Sequence, residues 1–268
     1  MSTDQSQHND AITSYRHAPS RTFTAAGVTY AYRELGPKGG VPVIFFVHLA
    51  ATLDNWDPRI IDPVAQQHHV IAFDNRGHGQ SEKLYAPADY RADLMVQDAA
   101  NLLAHLGVER ADVMGYSMGA RIASFLAVAE PRLVRSLVLG GLGDRLVRDA
   151  GLPEAIAEAL EAPSRESLAD PTQRLFRGFA DQTKSDRAAL AACVRGSRRN
   201  LTPEEAKRII QPTLVAVGER DAIAGDPLKL VTILPQAEAL AIPGRDHNLA
   251  VGDKAFKAGA LDFLARRA

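Results

Sequence analysis

The pentapeptide Gly115-Tyr116-Ser117-Met118-Gly119 has the G-x-S-x-G spacing that can turn a serine hydroxyl into a nucleophile. Its setting supports this reading. Ala111 to Met114 reads as a buried strand, Ser117 to Glu130 reads as a helix, and the pentapeptide falls on the turn between them. Such a turn forces the serine into a strained backbone conformation. It also brings strand and helix so close that Gly115, Gly119 and Ala120 must be small. The Ser117 hydroxyl would then project from the carboxyl edge of a sheet, at a helix N-terminus whose dipole favours developing negative charge.

A serine hydroxyl needs a base within hydrogen-bond reach, and the base needs a group to orient it. Of eight histidines, His8 and His17 lie in a polar N-terminal stretch, His68 and His69 precede a strand, and His105 falls near a helix end. His48 and His78 follow strands in the first half. His247, in Gly244-Arg245-Asp246-His247-Asn248 between the last strand and the last helix, belongs to the same carboxyl edge as Ser117 and is the candidate base. For the orienting acid, Asp221 in Val217-Gly218-Glu219-Arg220-Asp221 follows the strand just before that of His247. Asp144, after the strand ending at Leu139, is the competing position. Asp246 sits beside the histidine, but its adjacency directs it elsewhere.

These residues require a scaffold that gathers strand ends. Thr22 to Thr24 and Val28 to Leu35 alternate like half-buried strands around an Ala26-Gly27 hairpin turn. Val43 to Val47, Val70 to Phe73 and Ala111 to Met114 are continuous apolar runs typical of a buried parallel sheet. Helical segments Asp54 to Gln67 and Asp89 to Leu106 separate them, which is the βαβ signature. Ser117 to Glu130 is apolar on nearly every side, as expected of a central buried helix ended by Pro131. Leu133 to Leu139 reads as a strand. From residue 142 to 211 the pattern changes to short amphipathic pieces broken by proline and glycine. Sheet periodicity then resumes in Thr213 to Val217, helix Leu228 to Leu234, strand Ala237 to Ile242 and helix Lys254 to Arg267. The predicted organisation is a flexible N-terminal arm over 1–20, a core over 21–141 and 212–268, and a helical lid over 142–211.

Composition narrows the function classes. The 31 Lys and Arg offset 32 Asp and Glu, leaving a formal charge of −1. That balance predicts no nucleic-acid partner and no attraction to an anionic membrane. The single cysteine, Cys193, excludes an internal disulfide and a four-cysteine metal site. Met1 to Ser20 lacks the apolar core of a signal peptide, and Val41 to Leu53 is too short for a membrane span, so a cytoplasmic protein is expected. Gly77-x-Gly79 and Gly141-x-Gly143 lack the third glycine of a dinucleotide loop, and no phosphate-loop, H-E-x-x-H or calcium-loop pattern occurs. Neither a cofactor nor a metal is expected. The pair His68-His69 reads as a solvated loop, the basic run Arg195 to Arg199 as a solvated helical face, and Trp56 as a packing residue.

One further stretch completes a set of four motifs. Phe73-Asp74-Asn75-Arg76-Gly77-His78-Gly79-Gln80-Ser81 is similar to a D-x-R-G-x-G-x-S loop, a glycine-rich turn in which Arg76 and Asp74 would pair structurally. Together with the serine turn, the Val-Gly-x-x-Asp loop and the Gly-x-Asp-His loop, it makes residues 22 to 268 resemble an α/β-hydrolase fold serine hydrolase. The resemblance implies a mostly parallel eight-stranded sheet with helices on both faces and a helical lid inserted after the sixth strand. It also implies the order Ser117, Asp221, His247 for the catalytic residues, and an oxyanion hole made by the backbone N–H groups of Met118 and Ala50. The family's His-Gly-x loop is here His48-Leu49-Ala50, so leucine in place of glycine either changes the turn or puts a branched side chain beside the acyl pocket. Leu49 and Tyr116 are the expected pocket residues.

The expected activity is cofactor-independent hydrolysis of small to medium acyl esters through an acyl-enzyme on Ser117. A small-molecule ester-like compound would be the partner. The same residues would also serve a lactonase, a C–C bond hydrolase or a perhydrolase of the metal-free haloperoxidase kind. A ligand-binding receptor on a hydrolase fold is the reading from another class. Serine in place of aspartate at the turn disfavours alkyl-enzyme chemistry. Oligomeric state is not encoded in these patterns.

Overall fold

Runs of β-branched and aromatic residues form the centre of the molecule because both of their faces can be buried. In the computed structural model, which describes residues 14–149 and 151–267, they are strands β1 Arg21–Ala25, β2 Val28–Leu35, β3 Val43–Phe46, β4 Val70–Phe73, β5 Ala111–Tyr116, β6 Val134–Gly140, β7 Thr213–Gly218 and β8 Ala237–Ile242. They make one eight-stranded sheet in the order β1-β2-β4-β3-β5-β6-β7-β8. The β1–β2 and β2–β4 pairs are antiparallel and the rest are parallel. The reversal of strand order around β3 and β5 places a crevice at the carboxyl ends of the central strands, where open α/β sheets form their sites.

The helices are α1 Pro58–Ala65, α2 Ala92–His105, α3 Met118–Ala129, α4 Arg145–Arg148, α5 Glu154–Glu161, α6 Pro171–Gln182, α7 Arg187–Gly196, α8 Pro203–Ala206, α9 Pro227–Val231, α10 His247–Ala250 and α11 Lys254–Ala265. Strand residues alternate between two cores. Phe45, Met114 and Tyr116 pack with Ile60 of α1 and Phe256 and Phe263 of α11. Phe46, Val113 and Leu139 pack with Leu102 of α2 and Ile122 and Phe125 of α3 on the other face. The segment between β6 and β7 holds α4 to α8. No described helix is long and apolar enough to cross a membrane.

Three expectations change. Residues 1–13 of the expected flexible arm lie outside the described residues, but 14–18 are anchored. Tyr15 is 1% exposed, its N–H donates to Asp62 Oδ1 at 2.8 Å and its hydroxyl to Leu53 O at 3.1 Å. The single helix expected over Asp54 to Gln67 is divided, because Thr52 and Asn55 close a capping box on a 3-10 turn and Asp57 then caps a new helix at Pro58. His69 is buried rather than solvated, with Nε2 held 2.8 Å from Glu34 Oε2.

Candidate active site

The strand β5 and helix α3 meet at Ser117 with φ +52° and ψ −112°, a left-handed conformation that costs a non-glycine residue on the order of 1–3 kcal/mol. The flanking glycines make the turn possible. A Cβ on Gly119 would lie 2.2 Å from Phe46 O, and one on Gly115 would lie 2.4 Å from the Gly119 carbonyl carbon. The strain is held by packing on both sides and by the Ser117 N–H, which donates to Gly140 O of β6 at 2.7 Å.

His247 is the first residue of α10, whose cap is Asp246, with Oδ1 accepting from Asn248 N and Leu249 N. This fixes the ring over the serine. His247 Nε2 lies 2.9 Å from Ser117 Oγ, and Nδ1 lies 2.7 Å from Asp221 Oδ2. The other oxygen of Asp221 accepts from Ile223 N and Ala224 N, both at 2.8 Å, so the carboxylate is clamped by its own loop. Beneath the histidine, the Tyr116 hydroxyl donates to His247 O at 2.6 Å. A serine proton can pass along such a chain to the imidazole, while the carboxylate selects the tautomer with its proton on Nδ1.

Among the described residues, neither the Met118 N–H nor the Ala50 N–H has a hydrogen-bond partner. Ala50 has φ +63°, a turn that glycine would adopt without strain. Its carbonyl accepts from Ser185 Oγ of the insertion at 3.3 Å. His48 stacks on Phe179 of α6 with ring centroids 5.2 Å apart. Burial, together with the neighbouring His247 and His78, pushes the pKa of His48 down to about 3, so the ring is neutral at physiological pH.

Two cavities meet at Ser117, and Leu49 borders both. The first includes Met118, Arg121, Leu142, Leu152, Val194 and Ile223, with about 650 Å³ of open space including its mouth. The second is lined by His48, His247, Asn248 and three side chains of α6, Leu175, Phe176 and Phe179. No cluster of three or more metal-ligating side chains occurs among the described residues.

Known proteins resemble the chain in sequence and in fold. The alpha/beta hydrolase fold family matches residues 41–144. A solved hydrolase from Pseudomonas aeruginosa PA01 superposes with a TM-score of 0.75 at 25% identity, covering 91% of this chain and 98% of that one. The chain belongs to the alpha/beta hydrolase superfamily. Among curated relatives of this hydrolase, a non-heme chloroperoxidase of Streptomyces lividans is 26% identical over 255 residues, 84% of this chain and 92% of that protein. A 3-oxoadipate enol-lactonase of Acinetobacter baylyi is 26% identical over 215 residues, 75% of this chain and 79% of that protein.

The hydrolase brings Ser117, His247 and Asp221 together and separates the other acids that the sequence offered. Asp144 accepts from Asp226 N at 2.8 Å and pairs with Arg148. Burial opposes its charge, but these partners outweigh burial and lower its pKa. Tyr116 is not a pocket residue. It lines neither cavity at Ser117, because strand alternation turns its ring to the α11 face against Phe256. Asp74 and Arg76 do not pair with each other either. Asp74 accepts from Leu53 N at 2.7 Å and Gln80 N at 2.8 Å, while Arg76 forms a fork with Asp98. The basic run is likewise engaged, with Arg195 paired to Glu154 and Glu161. Sequence reasoning missed Arg121 and the aromatic side chains of α6. For Arg121 a signal existed: it is the one charged residue in a helix otherwise apolar or small from Met118 to Ala129.

Proposed function

We propose that this protein is a serine hydrolase of carboxylic esters acting through an acyl-enzyme on Ser117. The hydrogen-bonded chain Asp221–His247–Ser117, facing two unpartnered backbone N–H groups, carries the reading. Ser117 Oγ attacks the ester carbonyl as His247 Nε2 takes its proton. The tetrahedral oxyanion is held by the Met118 and Ala50 N–H groups. The imidazolium, stabilised by Asp221, protonates the departing alcohol, and its neutral form then activates water to release the acid.

The position of His247 divides the substrate between the cavities. Its Nε2 must reach the leaving oxygen, so the alcohol portion lies in the cavity that His247 borders, against Phe176 and Phe179. The acyl portion occupies the cavity of Met118 and Leu142, which His247 does not line. Leu49, 3% exposed and shared by both cavities, limits width at the reacting carbonyl. The test is steady-state hydrolysis of p-nitrophenyl esters of increasing acyl length by the wild type and Ser117→Ala. A loss of at least about 10³-fold in the variant is expected. Equal turnover by both proteins would overturn the proposal.

A further inference from the structure

Arg121 lies in the acyl cavity and has no acidic partner. It sits on α3 four residues after Ser117, one helical turn away on the same face. Long side chains on a helix lean toward its N-terminus, so this one leans toward the nucleophile. Only 9% of the residue is exposed, yet no carboxylate of the described residues lies within ion-pair distance. Its guanidinium is instead held by backbone carbonyls. Nη1 donates to Arg199 O at 2.9 Å, and Nη2 donates to Arg145 O at 3.0 Å and Asp149 O at 3.3 Å.

Three of its five N–H bonds are thereby used, and the Nε–H and the second Nη1–H have no acceptor among the described residues. Burial lowers its pKa to about 10, which leaves it charged at neutral pH. The other two charges in the cavity cancel, because Arg145 Nε pairs with Asp149 Oδ2 at 3.0 Å. One positive charge is therefore left over. It is positioned by groups that α4, the turn after it and the loop after α7 contribute, on a helix that the sequence otherwise makes apolar.

A buried guanidinium without a counter-ion is costly unless something anionic completes it. We infer that Arg121 binds a carboxylate on the acyl portion of the substrate, so that the preferred compounds are half-esters or lactones of dicarboxylic acids. A single surplus charge fits a monoanion better than a doubly charged phosphate, and a carboxylate oxygen can accept a charge-assisted hydrogen bond from a free N–H of Arg121. This inference rests on the hydrolase reading for the placement of the acyl group. Arg121 is thus a specificity-determining residue.

The test compares monobenzyl glutarate with benzyl methyl glutarate, which differ in whether the distal carboxylate is free or capped. Release of benzyl alcohol is followed for the wild type, Arg121→Gln and Arg121→Lys. The wild type should favour the free acid at least tenfold in kcat/KM. Arg121→Gln should reduce that ratio to within about threefold, and Arg121→Lys, which keeps the charge but loses the donors that the backbone carbonyls position, should fall between. Calorimetric binding of the same two esters to Ser117→Ala reads the preference without turnover, so an absence of hydrolysis would sink the esterase reading while this proposal is still decided. Equal binding of both esters by Ser117→Ala, or a preference that survives Arg121→Gln, would overturn it. Should Arg121→Gln not fold, the wild-type ratio and Arg121→Lys decide the outcome.

Discussion

The floor of the site and its roof are built by different means. The floor is made of strand ends and the loops that follow them, and almost every polar group in it is fixed by the backbone. Asp74 accepts from Leu53 N and Gln80 N, Asp221 from Ile223 N and Ala224 N, and Tyr116 donates to His247 O. The roof, α6 and its neighbours in the insertion, meets the site with the apolar side chains Leu175, Phe176 and Phe179. Of these, Leu175 is 41% exposed. On the proposed function, proton transfer belongs to the floor and selection of the alcohol portion to the roof. Changes in the floor should therefore act on stability and kcat, and changes in the roof on KM.

The largest expected effect is in the floor. His78 is fully buried, with Nδ1 at 2.9 Å from Arg76 O and Nε2 without a partner. Burial lowers its pKa from 6.5 to about 4. Between those values the unfolded chain takes up a proton that the folded chain refuses. Stability is therefore complete above pH 6.5 and falls as the pH drops toward 4, by about 1.4 kcal/mol per pH unit. His48 adds the same sign and extends the loss to lower pH. Denaturant unfolding at pH 7 and pH 5 should show this decline, and His78→Phe should remove much of it. An unchanged slope in His78→Phe would show that the floor is not held by this neutral ring.

Next is Tyr116→Phe, which leaves the His247 carbonyl without its donor beneath the imidazole. A cost of about 1–2 kcal/mol in stability is expected, together with a fall in kcat at nearly constant KM. A change confined to KM would break the division between floor and roof. The smallest effect belongs to the roof. Phe179→Ala removes a wall of the alcohol cavity and the ring stacked on His48, each worth about 1 kcal/mol at most. KM for aryl and benzyl esters should rise by less than about tenfold, with kcat and melting temperature little changed.

The same division explains what could be read from the sequence. The strand Val70–Phe73 was legible to the residue because a short buried run ends abruptly at polar neighbours, and the largely exposed edge strand Ala237–Ile242 because Pro235-Gln236 and Pro243-Gly244 bound it. Ser117, Asp221 and His247 were legible because each lies within a few residues of the carboxyl end of a strand, where sheet topology decides proximity. Tyr116 was misplaced because its neighbour Ser117 leaves the strand. Strand alternation sends the tyrosine ring to the α11 face, away from the serine. Arg76 and Asp74 were misread because closeness in a tight loop does not make two side chains point at each other, and Arg76 reaches instead to Asp98 of α2. The roof was the least legible part. Periodicity marks Leu175, Phe176 and Phe179 as one apolar face of α6, but it does not say which part of the molecule that face covers.

The insertion leaves the sheet after β6 and returns at β7, and these two strands are hydrogen-bonded neighbours, with Leu137 opposite Thr213 and Gly140 opposite Ala216. Because the two strands are parallel, it leaves at the carboxyl end of β6 and returns at the amino end of β7, so its ends are offset by three residues of strand rise and one strand spacing, about 11 Å, a short span beside the length of the segment. A segment with ends so close can be lengthened, shortened or exchanged without moving the strands on either side. Descendants of such a chain could therefore acquire new specificities by swapping one contiguous stretch of sequence, while the serine, the histidine and the aspartate stay where the sheet has put them.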